Sequence, residues 1–155
     1  MPSRYYLPVR MSIKRLATPK EFQAQVVDAT NSLVVVRFSA DACPSCRATS
    51  SLFRKLSRNL LCNSDSGSES IMAMKVVEMP LTKVTSSFIQ DKLHVEQLPY
   101  CHFYHPEFGL IEEKLVLNRS EMKDFSNTVD IWSKGGCYFD LDGDNCQEFC
   151  ESWVV

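Results

Sequence analysis

Cys43-Pro44-Ser45-Cys46 stands at a strand-to-helix junction, and that context constrains the chain more than any other feature. Before it, Leu33 to Phe38 is an apolar, largely β-branched run of strand length, the kind expected in the buried middle of a sheet. After it, Leu52, Phe53, Leu56, Leu60 and Leu61 recur at helical spacing within Arg47 to Leu61. The cysteine pair therefore opens a helix that a buried strand feeds.

A thiol attacks a disulfide only as its thiolate, so a redox cysteine needs a local reason to lose its proton near neutral pH. Cys43 falls at the cap position, where free amide hydrogens and the positive end of the helix dipole favour a sulfur anion, and Pro44 suits the first turn. Cys46, one turn on, is expected to be the more buried. Cys43 would attack a substrate disulfide, and Cys46 would resolve the mixed disulfide and release reduced substrate. Oxidation of a substrate dithiol uses the same residues, so direction stays open. The competing reading is half of a structural zinc site, which needs a second ligand pair. Cys101, His102 and His105, or Cys146 and Cys150, are the candidates. None has the usual partner spacing, and no metal is expected.

The flanking sequence supplies the remaining elements. Thr18-Pro19-Lys20-Glu21 reads as a helix start: Thr18 caps, Pro19 needs no amide hydrogen, and Glu21 can reach back. Phe22, Val26, Val27 and Ala29 continue that helix until Asn31 and Ser32 stop it. Residues 63–70 form a polar connector, and Ile71 to Glu78 reads as a strand. Pro80 is expected to begin a shorter helix through Val84, Phe88, Ile89 and Leu93. Tyr100 to Tyr104 and Leu110 to Leu117 read as a hairpin turning at Pro106-Glu107-Phe108-Gly109. Ser120 is expected to cap a last helix using Met122, Phe125, Val129, Ile131 and Trp132, closed by Gly135-Gly136. With a possible edge strand around Met11 to Leu16, this order predicts an α/β sandwich with a mixed sheet. The expected organisation is a tail at 1–12, one domain at 13–133 and a cysteine-containing extension at 134–155.

Composition narrows the partners. The formal net charge of -2 provides no basic field to gather phosphates, so neither nucleic acid nor an anionic membrane is expected. No apolar stretch is long enough to cross a bilayer, and no signal-peptide core follows Met1, so a soluble, intracellular protein is expected. Residues 1–20 carry Arg4, Arg10, Lys14, Arg15 and Lys20 without an acidic residue, a bias shared by transit peptides and harmless basic tails. An odd count of seven cysteines suits a reducing compartment with a few reactive thiols better than a fully paired extracellular scaffold. Nothing resembles a Gly-rich phosphate loop, and the reducing equivalents can reside in the dithiol, so no organic cofactor is expected.

Val35 to Arg47 resembles the active-site strand and loop of the thioredoxin superfamily. Lys75-Val76-Val77-Glu78 resembles that family's third strand, Val95 to Tyr104 its conserved-proline segment, and Gly109 to Leu117 its closing strand. The resemblance spans about 120 residues, from roughly Ile13 to Trp132, within one domain's usual size. It implies a thioredoxin fold, a central mixed sheet of about 4–5 strands flanked by about 4 helices. Leu98-Pro99-Tyr100-Cys101-His102-Phe103-Tyr104, with the cysteine and histidine content, most resembles the atypical cysteine- and histidine-rich thioredoxins of plastids. That implies the chloroplast stroma; without it, the cytoplasm. By resemblance, Pro99 is the cis-proline facing the dithiol, leaving the Leu98 backbone free to pair with an extended substrate, and Ala42 and Pro44 flank the same surface. Disulfide-containing client proteins and an upstream thiol reductant are the implied partners, with a monomer favoured.

Two residues depart from the family pattern. Ala42 stands where a tryptophan usually precedes the first cysteine, which removes an aromatic wall and should alter specificity. Arg37 stands where a buried acid usually assists proton transfer to the resolving thiol. An arginine cannot act as a base; it would stabilise thiolate if it stays near Cys46, or be a snorkelling strand residue if it turns outward. Lys75 would add positive charge close by, or be a solvated strand-end lysine. A catalytically weak protein-binding or redox-sensing module is the alternative function.

The other signals are bland. His102 and His105 should point to opposite faces of a strand, with surface or hairpin packing as their role. Cys101 reads as a small buried hydrophobe. Asp140 to Cys146 mimics half of a calcium loop, but its glycine comes too early. Cys62, Cys137, Cys146 and Cys150 receive no catalytic role.

Overall fold

The computed structural model describes residues 13–63 and 73–133. Five strands, β1 (Lys14–Arg15), β2 (Ser32–Ser39), β3 (Ala73–Pro80), β4 (Tyr100–His105) and β5 (Gly109–Leu115), form one sheet in the order β1-β3-β2-β4-β5. The first three run parallel, and β4 and β5 are antiparallel, β4 to β2 and β5 to β4. Helical segments α1 (Pro19–Phe22) with its π-helical continuation Gln23–Val27, α2 (Pro44–Asn63), a π-helical turn at Phe88–Lys92 and α3 (Arg119–Ser133) cover the faces. This is the thioredoxin fold, with a mixed five-stranded sheet.

β2 lies at the centre because every residue from Leu33 to Ser39 is buried, as a strand covered on both faces must be. Alternation divides its side chains. Leu33 and Val35 pack with Phe53 and Leu56 of α2 and with Phe125 and Val129 of α3. Val34, Val36 and Phe38 face Phe22, Val26 and Ile89 on the other side. At roughly 25 cal/mol per Å² of apolar area, these two clusters supply the main drive for folding.

Local chemistry sets the element ends. Glu21 N–H donates to Thr18 Oγ1 at 3.2 Å while Glu21 Oε2 accepts from Ala17 N–H at 2.8 Å, so the start of α1 is capped from both sides. α3 uses the same device, but its cap is Asn118 and not Ser120: Glu121 N–H donates to Asn118 Oδ1 at 3.0 Å, and Leu117 N–H donates to Glu121 Oε2 at 2.6 Å. Pro80 does not begin a helix; it ends β3 opposite Ser39. The turn starts at Thr82, whose hydroxyl accepts from Val84 and Thr85 N–H. The expected strand at Ile71 to Glu78 is observed as Ala73–Pro80, and the edge strand reduces to Lys14–Arg15. Cys137, Cys146, Cys150, Gly135-Gly136 and the calcium-like turn lie outside the described residues.

Candidate active site

The C-terminal end of β2 hands the chain through Ala40–Ala42 to Cys43 at the start of α2. Cys43 and Cys46 are joined as a disulfide with Cα atoms 5.2 Å apart, a span such a bond accommodates. Cys43 is partly exposed and Cys46 is 3% exposed. The Cys46 N–H points at the Cys43 sulfur, 3.1 Å away. An orphan amide of the first helical turn is thus aimed at the sulfur that would carry negative charge on reduction.

Leu98, Pro99 and the strand they start face this pair. The Leu98–Pro99 peptide is cis, and Pro99 is buried. The Leu98 carbonyl oxygen lies 4.0 Å from the Cys43 sulfur. Ala42 and Pro44 are exposed on either side of Cys43.

Arg37 turns inward. Its side chain is 3% exposed and projects from β2 beneath the first turn of α2. One guanidinium nitrogen donates to the Cys46 carbonyl at 2.6 Å and to Thr49 Oγ1 at 3.2 Å, and the other donates to Glu78 Oε2 at 3.1 Å. Its carbon stacks 5.4 Å from the Phe53 ring centroid, a favourable cation–π distance. Glu78 is the register partner of Arg37 on β3. It also meets Arg15 Nε at 3.8 Å, and Arg15 in turn meets Asp41 at 3.7 Å. Side-chain exposure along Asp41, Arg15, Glu78 and Arg37 falls from 97% through 57% and 19% to 3%. A ladder of alternating charge thus runs from solvent to the backbone of the resolving cysteine. Of the two positions the sequence left open for Arg37, the structure shows the inward one, with Glu78 beside it as a compensating charge.

Glu78 was not singled out from the sequence. A lone arginine in an otherwise apolar central strand signals that a buried partner is needed, but that the partner is Glu78 follows only from the β2–β3 register.

Lys75 lies elsewhere. Three residues before Glu78, it projects from the opposite face of β3 and toward the other end of the strand. There its Nζ donates to the carbonyl and side-chain oxygen of Gln25. Its place beside Gln25 corrects the expectation that it adds charge near the dithiol. Burial and nearby Lys14 lower its pKa.

β4 presents Cys101 and His102 to opposite faces. Cys101 is fully buried in register with Arg37, and burial, against the opposing pull of Arg37, pushes its thiol up to about 12. Such a thiol is inert at neutral pH. Of the two roles expected for His102, surface or hairpin packing, the structure shows packing. It is fully buried, packed edge-on against Phe38 and Tyr100, with Nδ1 2.9 Å from the Tyr104 hydroxyl. His105 packs against Phe108 and Trp132 instead. Among the described residues no group of three or more His, Cys, Asp or Glu converges to hold a metal. No helix among them is long and apolar enough to cross a membrane.

Comparison with known proteins agrees with this geometry. The Thioredoxin family model matches residues 14–128. Among solved structures, Chlamydomonas reinhardtii thioredoxin f2 superposes with a TM-score of 0.62 at 17% identity, covering 79% of this chain and 98% of its own. A Plasmodium falciparum thioredoxin gives 0.56 at 19% identity over 74% and 97%. Spinach chloroplast thioredoxin f in its short form gives 0.57 at 12% identity over 76% and 93%. No curated protein matches the sequence significantly.

Proposed function

Because the chain belongs to the thioredoxin family, we propose that it is a thiol-disulfide oxidoreductase that reduces or exchanges disulfides in partner proteins, with Cys43 as nucleophile and Cys46 as resolving thiol. The observation that carries this reading is the contact of the Cys46 amide with the Cys43 sulfur. It supports the reading because the same amide would stabilise the Cys43 sulfur as an anion once the bond is reduced.

The cycle follows from the two environments. Reduced Cys43, the accessible thiol, attacks a client disulfide and forms a mixed disulfide, expelling one client sulfur as thiolate. Cys46 then attacks Cys43, the Cys43–Cys46 bond forms, and the second client sulfur leaves. The electron pair has passed from the dithiol to the client, and an upstream thiol reductant restores the dithiol. A client segment lies along Leu98 and Pro99 in extended form, with Ala42 and Pro44 as its remaining contacts. No organic cofactor takes part. A plastid address belongs to this reading, supported by the acid-free basic residues 1–20 and by the likeness to the chloroplast protein of spinach.

The test is covalent capture. Cys46→Ser leaves Cys43 able to attack but nothing to resolve the adduct, so client proteins should remain disulfide-linked to Cys43 and be released by dithiothreitol. Absence of adducts that require Cys43 would argue for the binding-module alternative.

A further inference from the structure

α2 carries Arg47, Arg54, Lys55 and Arg58 and no acidic residue, although the chain as a whole is acidic. The counterweight lies at the other end of the sequence. Residues 134–155 contain one cation, Lys134, against Asp140, Asp142, Asp144, Glu148 and Glu151, a net of -4 in a chain of net -2, which leaves residues 1–133 at +2. The same segment holds Tyr138, Phe139, Phe149 and Trp153. An acidic stretch is ordinarily solvated, but four aromatic rings favour contact with an apolar surface.

Such a surface lies between α2 and α3. A groove of about 350 Å³ is lined there by apolar Leu52, Leu56 and Met122 and by basic Lys55, Arg119 and Lys123. Leu52 is partly exposed in it. Among the described residues no acid lines the groove, and none of its three cations is ion-paired. The acids beside it on α3 are engaged elsewhere: Glu121 accepts from Leu117 N–H, and Asp124 meets Lys114 of β5. The volume is at the low end of the roughly 300–1,000 Å³ of ligand clefts, room for a few side chains of a peptide segment.

We propose that residues 138–144 of this chain seat in the α2–α3 groove, with Phe139 and Leu141 over Leu52, Leu56 and Met122 and with Asp140, Asp142 and Asp144 beside Lys55, Arg119 and Lys123. The sequence interleaves the two apolar residues with the three aspartates, matching a groove that mixes apolar and basic side chains. Tethering favours this occupant over any separate protein. α3 ends at Ser133, ~16 Å along the helix from Met122 at 1.5 Å per residue. The eight residues from Ser133 to Leu141 can span ~27 Å, and Gly135-Gly136 puts little restraint on reversal of the chain. A segment held this close meets the groove at a high effective concentration. The inference is independent of the disulfide chemistry proposed above.

Carbodiimide coupling tests it in the full-length protein, at low micromolar concentration and with the cysteines reduced. The reagent joins a carboxylate to a lysine amine only where the two meet, and peptide mapping locates each bond. Asp140, Asp142 and Asp144 should couple to Lys55 and Lys123 at least about fivefold more than to the exposed Lys20, Lys83 and Lys92. An equal mixture of light and isotopically heavy protein should give only all-light or all-heavy linked pairs. Phe139→Ser combined with Leu141→Ser should lower these couplings at least about fivefold. Arg119→Glu, at an exposed position, should lower them at least about threefold. The Lys114–Asp124 pair, 3.5 Å apart, should couple equally in every variant and reports an intact fold. Even coupling to all exposed lysines, or none while Lys114–Asp124 forms, would overturn the proposal. Mixed-isotope pairs, which place the segment on a second copy, would also overturn it, as would couplings that either variant leaves unchanged.

Discussion

Arg37 and Glu78 face each other across the β2–β3 register with 3.1 Å between guanidinium and carboxylate, directly beneath the turn that carries the resolving cysteine. The pair inverts the sign expected from a buried acid on β2: the cation occupies the central strand and the anion its neighbour. Removing either partner strands a charge in a poorly solvated place. Arg37→Met and Glu78→Met should each cost about 3 kcal/mol in urea unfolding. The double variant should cost less than the sum by at least about 1 kcal/mol. Strict additivity would mean the two groups do not interact.

Reduced Cys43 and Cys46 should differ in reactivity. At pH 7, iodoacetamide should label Cys43 at least about tenfold faster than Cys46, because Cys43 is accessible and receives the Cys46 amide while Cys46 is buried. Peptide mapping after timed quenching reads the ratio; equal labelling would remove the division of roles.

Ala42 is exposed beside Cys43, so Ala42→Trp should change unfolding free energy by no more than about 0.5 kcal/mol. It should lower KM for a protein disulfide by about twofold to tenfold through added aromatic contact. Reduction of a small disulfide such as cystine should change little. Steady-state kinetics on both substrates separates a contact effect from a general one.

His102 makes stability depend on pH. Burial holds it down to about 4 in the folded protein, against an ordinary 6.5 in the unfolded chain. Between those values the unfolded state binds the proton and the folded state does not, so this contribution is fully present above pH 6.5 and is lost as pH falls toward 4. Urea midpoints measured from pH 7.5 to 4.5 should fall more steeply for the wild type than for His102→Phe. Parallel curves would show that His102 is not buried neutral.

The path of the chain was largely legible. Leu33 to Phe38 announced a central strand by being apolar at every position but one, and the exception, Arg37, marked the site. The capping box at Thr18 was readable because proline and glutamate reinforce it. Ser120 misled because a serine and an asparagine both cap well, and only the position of Glu121 three residues after Asn118 decides between them. Pro80 misled for a related reason: proline suits a first helical turn and also a strand end, where its missing N–H breaks no ladder. The inward turn of Arg37 and the burial of His102 were not legible, since each depends on which face of a strand a neighbouring element covers. Glu78 became visible only through register, which sequence periodicity does not supply.

Turnover of insulin disulfides, coupled to dithiothreitol and followed by turbidity, tests the central claim most directly. The intact protein should accelerate precipitation over the uncatalysed reaction, and Cys43→Ser should return the rate to that background. An inactive intact protein, or full activity in Cys43→Ser, would contradict the assignment of disulfide exchange to this pair of cysteines.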